Sequence, residues 1–201
     1  MMQKLSFLLF FLLLFFGCAK DFSENVQSDM PVFMANFSVS DSSYQLVAGK
    51  DNYYMYTDYY MDTLQVLNAV GSFSKTTCID SVCPKTLRFE IRNTDLSGTF
   101  FNANSISNIS TFYQDETLFD SLQLGRASIT WTDWQGMQWK TNSGQQGLDS
   151  YFNILSVSPY GSNEKNQATY QLEINFKGLL YNALGTFMPI KGTGIIAIGV
   201  P

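Results

Sequence analysis

Histidine is absent from all 201 residues. That removes Ser-His-Asp and Cys-His nucleophile activation, imidazole-ligated zinc and histidine proton shuttles. Charge is also scarce, at 14% of residues, with 12 Lys and Arg against 17 Asp and Glu. The net charge of −5 shows no basic stripe, so a phosphate backbone has little to hold and nucleic acid is not an expected partner. Only 3 cysteines and 5 prolines occur. Zinc would need more ligands than this chain supplies, and no calcium loop of alternating acidic residues ending in glycine is present. No metal or cofactor is expected. Asp51, Asp58 and Asp62 fall close together, yet they make only a weak oxygen-ligand set. Carboxylate hydrolysis survives these exclusions, but among 17 acids no pair is singled out by spacing. The chain therefore reads as a non-enzyme.

What is abundant is apolar and aromatic. Hydrophobic residues make up 45%, and 11 Tyr with 17 Phe favour pleated surfaces over helices. One apolar run stands apart, Leu5 to Phe16, broken only by Ser6 and preceded by Lys4. At 12 residues it is shorter than the roughly 20 a spanning helix needs, and it has the length of a signal-peptide core. It ends Phe15-Phe16-Gly17-Cys18, followed by polar Ala19-Lys20-Asp21. This arrangement resembles the lipobox of bacterial lipoproteins, in which a small residue precedes the cysteine. The resemblance implies cleavage before Cys18, diacylation of its thiol and often acylation of the new amino group. Residues 1–17 are then the signal peptide, 18–30 a lipidated cysteine and polar tether, and 31–201 a single β-rich domain. Membrane lipid is the expected partner through Cys18. Two or three acyl chains, at about 0.8 kcal/mol per buried CH₂, hold where one is marginal. An ordinary secretory signal with an incidental cysteine is the alternative.

Cys78 and Cys83 remain, in CIDSVCP. An even pair in an exported chain reads as a disulfide. Extended, their α-carbons would lie beyond the 7 Å limit, so Ile79 to Val82 must turn back. The expected gain for so small a loop is about 2 kcal/mol. A redox or metal-binding pair is the rival reading, although redox sites usually separate their cysteines by two residues.

Alternation of period two marks the strands. In Thr86–Arg92, Leu87, Phe89 and Ile91 oppose Arg88, Glu90 and Arg92; in Thr169–Lys177, Tyr170, Leu172, Ile174 and Phe176 oppose Gln171, Glu173, Asn175 and Lys177. Further strands are expected at Val32–Val39, Tyr44–Ala48, Tyr53–Thr57, Val66–Lys75, Ala127–Thr132, Met137–Thr141, Tyr151–Ser158, Thr186–Ile190 and Gly194–Val200. Turns are expected at Gly49-Lys50-Asp51-Asn52, Asp133-Trp134-Gln135-Gly136 and Lys191-Gly192-Thr193-Gly194. A helical turn is expected near Asp115–Leu122. Together these predict an all-β fold, an antiparallel β-sandwich or partly closed barrel of about ten strands. The stretches SITWTDWQGMQW, FNILSVSPY, INFKGLLYNALG and IKGTGIIAIGVP resemble uncharacterised β-rich lipoprotein domains of Bacteroidota. That resemblance implies a fold and an outer-membrane or cell-surface setting, not an activity.

The candidate ligand-binding residues are aromatic. A strand through Tyr53–Thr57 places Tyr54 and Tyr56 on one face, able to stack on a glycan or protein ligand; cross-strand packing is the plainer reading. Trp134 sits in a predicted turn and is expected to be exposed, an anchor sharing a patch with the tyrosines. Trp131 and Trp139 are expected to meet across strands. The rival function is a structural or assembly subunit of a surface complex or fimbria-like structure, for which Gly194–Val200 is the expected exposed strand.

Overall fold

The structure is a computed structural model, and it describes residues 33–62, 66–75, 85–93, 106, 109–112 and 125–201. All of them belong to one compact unit, Pro31–Pro201. Its strands are β1 (Met34–Val39), β2 (Ser42–Val47), β3 (Tyr53–Met61), β4 (Leu67–Lys75), β5 (Thr86–Asn93), β6 (Arg126–Thr132), β7 (Gln138–Lys140), β8 (Tyr151–Ser162), β9 (Ala168–Tyr181) and β10 (Phe187–Val200). They form one antiparallel sheet in the order β2-β1-β10-β9-β7-β6-β5-β4-β3, with β8 paired to β9 beyond the short β7. The sheet curls into a half-barrel, as the all-β reading requires.

Alternation decides which face is lined. Across β4, β5, β6 and β7, Phe73, Leu87, Trp131 and Trp139 form one inward row, and Ala69, Ile91 and Ala127 another. Leu172, Ile174, Phe176 and Leu180 of β9 meet them, with Phe89 against Phe176 at 5.7 Å between ring centroids. Each such side chain removed from water contributes about 1.5–3 kcal/mol. The tryptophans pair as expected, Trp131 buried and Trp139 half-buried.

One predicted turn is wrong. Lys191-Gly192-Thr193-Gly194 does not join two strands; it lies inside β10, which runs unbroken to Val200 beside β9. Neither glycine there has positive φ. Gly192 instead permits close packing, since a β-carbon would come within 2.5 Å of the Asn36 carbonyl oxygen. The true turn is Asn182–Thr186, between β9 and β10.

The last seven residues of β10, GIIAIGV, explain the curl. Ile196, Ala197, Ile198 and Val200 are all buried, because this end packs over β3 and β4 as well as pairing with β9. Two glycines allow that approach. A β-carbon on Gly71 would sit 2.0 Å from the Ala197 carbonyl oxygen, and one on Gly199 2.8 Å from the Asp58 backbone. Gly194–Val200 is therefore not the exposed strand expected of an assembly subunit.

Candidate functional site

Closure of the half-barrel brings the hairpin between β8 and β9 against β3. The hairpin tip is built by its first residue: Asn163 Oδ1 accepts hydrogen bonds from the Lys165 and Gln167 amides, each at 3.0 Å. Asn166 takes the left-handed conformation, φ 58°, that asparagine tolerates. With its acceptor used inside the turn, the Asn163 amide donates outward to the Thr57 carbonyl at 3.0 Å. The tip is thereby fastened to β3.

Asp58 is the second fastening. Its Oδ2 accepts from Tyr56 Oη and Lys165 Nζ, both at 2.6 Å, and its Oδ1 from the Tyr59 amide and Gln167 Nε2, both at 2.9 Å. Burial works against its charge, but the bonds from Lys165, Tyr56, Gln167 and Tyr59 outweigh burial and hold the carboxyl well below its usual range. The same contact raises the Tyr56 phenol, chiefly through its hydrogen bond to Asp58, and raises the Lys165 ammonium, again chiefly through Asp58. With four donors on two oxygens, Asp58 is a structural clamp rather than a base.

Beside this clamp lies a cleft of about 260 Å³. Tyr54, Tyr56 and Tyr160 wall it, and Phe33 meets Tyr160 edge-on at 4.9 Å. Thr169 lines it too; its hydroxyl is buried and has no partner among the described residues. Aromatic faces, an unmatched hydroxyl and fixed charges at Lys165 and Asp58 suit a partly apolar ligand that also bears hydrogen-bonding groups.

Tyr54 and Tyr56 are thus brought together on the face alternation assigned them, opposite buried Tyr53. Trp134 is exposed as expected, at 69%, but it does not line this cleft. It tops the β6–β7 turn, where a patch shared with the tyrosines was expected. Asp62 pairs with Arg92 and Asp58 with Lys165, each at 2.6 Å, so two of the three grouped aspartates are held by separate cations. Cys18, Cys78, Cys83 and Asp115–Leu122 lie outside the described residues. Sequence reasoning missed Tyr160, Lys165 and Thr169. Pro159-Tyr160-Gly161 was the available signal, since proline and glycine within a strand mark an edge and a bulge, and the register shifts there.

Compared with protein-family models, with curated proteins and with solved structures, the chain matches none.

Proposed function

We propose that this chain is a lipid-anchored extracytoplasmic β-domain that works by binding rather than catalysis, with the Tyr54–Tyr56–Tyr160 cleft as its ligand site. The ligand is a glycan or a protein segment, held at the cell envelope by acyl chains on Cys18. One observation supports the cleft above all. Three tyrosines and a buried hydroxyl with no partner among the described residues converge on a concavity whose rim is locked by Asp58 and Lys165. The rim does not have to be ordered by the ligand, so little affinity is lost to immobilising it.

A glycan array probed with wild type and with the double variant Tyr54→Ala/Tyr56→Ala tests this reading. Binding is expected for wild type and loss of at least tenfold for the variant, since stacked aromatic anchors carry 2 kcal/mol or more, on the order of hot-spot residues. Equal binding by both proteins refutes the cleft. Labelled palmitate tests the anchor separately, with incorporation expected in wild type and none in Cys18→Ala.

The assembly reading keeps one supporting observation. Leu184 and Phe187, at 86% and 61% exposure, flank the β9–β10 turn, and exposed Trp134 and Met137 the β6–β7 turn; Asn182 Nδ2 donates to Met137 Sδ at 3.6 Å between the two. A strictly monomeric protein with no co-purifying partner counts against it.

A further inference from the structure

We propose that β2 is a docking edge for a second copy of this chain, paired antiparallel about a two-fold axis at Gln45. Among the described residues the sheet order ends at β2 and at β3, and β8 pairs with β9 alone. Each of these edges offers backbone N–H and C=O groups to an incoming strand unless something prevents it. Two of them are guarded. β8 carries Pro159 and register shifts at Ile154/Ser156 and Pro159/Gly161. On β3 the Thr57 carbonyl is taken by the Asn163 amide, and the Tyr59 N–H by Asp58 Oδ1.

β2 has neither device. Its sequence, SSYQLV, contains no proline and no charge, and Ser43 and Gln45 are exposed. Its register with β1 runs without a bulge from Ser42 opposite Val39 to Val47 opposite Met34. The next rung fixes which groups point where. Ala48 N–H bonds the Phe33 carbonyl at 2.9 Å, so by alternation Ser42, Tyr44 and Leu46 bond to β1. The backbone groups of Ser43, Gln45 and Val47 then point away from the sheet. Of these, only the Val47 carbonyl meets another described residue, the Lys50 amide at 3.1 Å.

A second β2 supplies the matching groups. With Gln45 opposite its own copy, Ser43 of each chain lies opposite Val47 of the other, and Tyr44 opposite Leu46 on the inner face. The Gln45 pair and both Ser43–Val47 pairs then exchange N–H and C=O, the Val47 carbonyl using its second lone pair. The same register sets the turn before β2 against the turn after it. Asp41 of one copy falls opposite Gly49 and next to Lys50 of the other, and symmetry makes this happen twice. Neither Asp41 nor Lys50 holds an ion pair among the described residues, and both are exposed. Asp51 does not cancel the match, since it lies toward the Tyr53 phenol, which burial and then Asp51 push upward. An unrelated extended peptide would meet the backbone groups but has no reason to match both charged turns.

Sedimentation of the full chain in excess detergent, across a wide range of protein concentration, tests the pairing. A concentration-dependent dimer is expected, weakened by added salt. Gln45→Pro removes an N–H that points out of the fold, so the monomer should stay folded while association weakens at least about tenfold. Gln45→Ala loses the side-chain bond to Asn36 but keeps that N–H, and should associate within about threefold of wild type. Asp41→Lys is expected to weaken the dimer, and Asp41→Lys/Lys50→Asp to restore it. Circular dichroism of each variant guards against misfolding. The dimer should also survive Trp134→Ala/Leu184→Ala; its loss there would place the contact on the apolar tips and overturn the proposal. So would a dimer unchanged in Gln45→Pro, or a charge swap that fails to restore association. A monomer at every concentration overturns it as well, and a Gln45 amide still protected from hydrogen exchange in that monomer would put another segment of the chain on the edge.

Discussion

Three hairpin tips share one design and meet different fates. At Asp133–Met137, Asn163–Gln167 and Asn182–Thr186 the first side chain accepts from the amides two and four residues on, and the fourth residue has positive φ. The pairs at the centre differ: Trp134-Gln135, Glu164-Lys165 and Ala183-Leu184. The tip holding the charged pair is docked on β3, whereas Trp134 and Leu184 stand in solvent. Turn chemistry sets the loop conformation, and the two residues it displays decide whether the loop fastens the fold or faces outward.

The docked tip depends on a platform that the free tips do without, and breaking the platform gives the largest expected effect. Gly71→Val would drive a side chain into the Ala197 carbonyl, where even a β-carbon lies at 2.0 Å from the oxygen. Backbone cannot rotate away as a rotamer can. A loss of about 3 kcal/mol or more is expected, seen as a collapse of the urea midpoint or of soluble yield. Wild-type stability in Gly71→Val would mean that β10 does not rest on β4.

Next in size is the clamp itself. Asp58→Asn removes the negative partner of Lys165 and turns one acceptor into a donor, which then faces either Tyr56 and Lys165 or Tyr59 and Gln167. A cost of about 1.5–3 kcal/mol is expected in chemical denaturation near neutral pH, the range for hydrogen bonds to a charged group. The sign with pH follows from the lowered carboxyl. A group more acidic folded than unfolded stabilises above its unfolded value and loses that contribution as pH falls toward its folded one. The gap between wild type and Asp58→Asn should hold flat from neutral pH to about pH 5 and narrow below about pH 4. A gap that widens in acid would show that Asp58 is not clamped.

Smaller still is the shared first residue. Asp133→Ala and Asn182→Ala each forfeit two bonds from backbone amides and one further bond, from Trp139 Nε1 to Asp133 and from Asn182 Nδ2 to Met137 Sδ, and a loss of about 1 kcal/mol is expected, as for a helix cap. Asn163→Ala forfeits the same two bonds and three that its amide donates, to the Thr57 carbonyl, Thr57 Oγ1 and Gln167 Oε1, which unfastens the tip from β3, so it should cost measurably more. Equal losses at all three positions would remove the distinction between docked and free tips.

These tips also show what was legible beforehand. Asp133-Trp134-Gln135-Gly136 was readable because an acidic opener and a fourth-place glycine are local signals. The same rule written as Asn163-Glu164-Lys165-Asn166, with asparagine in the glycine's place, was not recognised, and glycines at 192 and 194 drew the last turn to the wrong site. Glycine for a turn and glycine for close approach look alike in one dimension; only the neighbours tell them apart. Alternation placed Tyr54 and Tyr56 correctly, because a strand's faces are fixed by its own period. Tyr160 and Thr169 reach the cleft only through the curl of β10 and the docking of a hairpin about 100 residues from β3 along the chain, which no local pattern encodes. The apolar run GIIAIGV did carry a hint, since a strand that fails to alternate is buried on both faces.

The smallest expected effect is the most discriminating. Trp134→Ala and Leu184→Ala remove large side chains that the fold leaves 69% and 86% exposed. Surface truncations of this kind usually fall within about 0.5 kcal/mol, so thermal stability should scarcely move. Glycan binding should not move either, because neither residue lines the tyrosine cleft. If the two free tips serve an assembly contact, the same substitutions should abolish co-purification of a partner while both of those readouts stay at wild type. A tip that changes stability when truncated is packed against something, and then the contrast between one docked hairpin and two free ones fails at its simplest point.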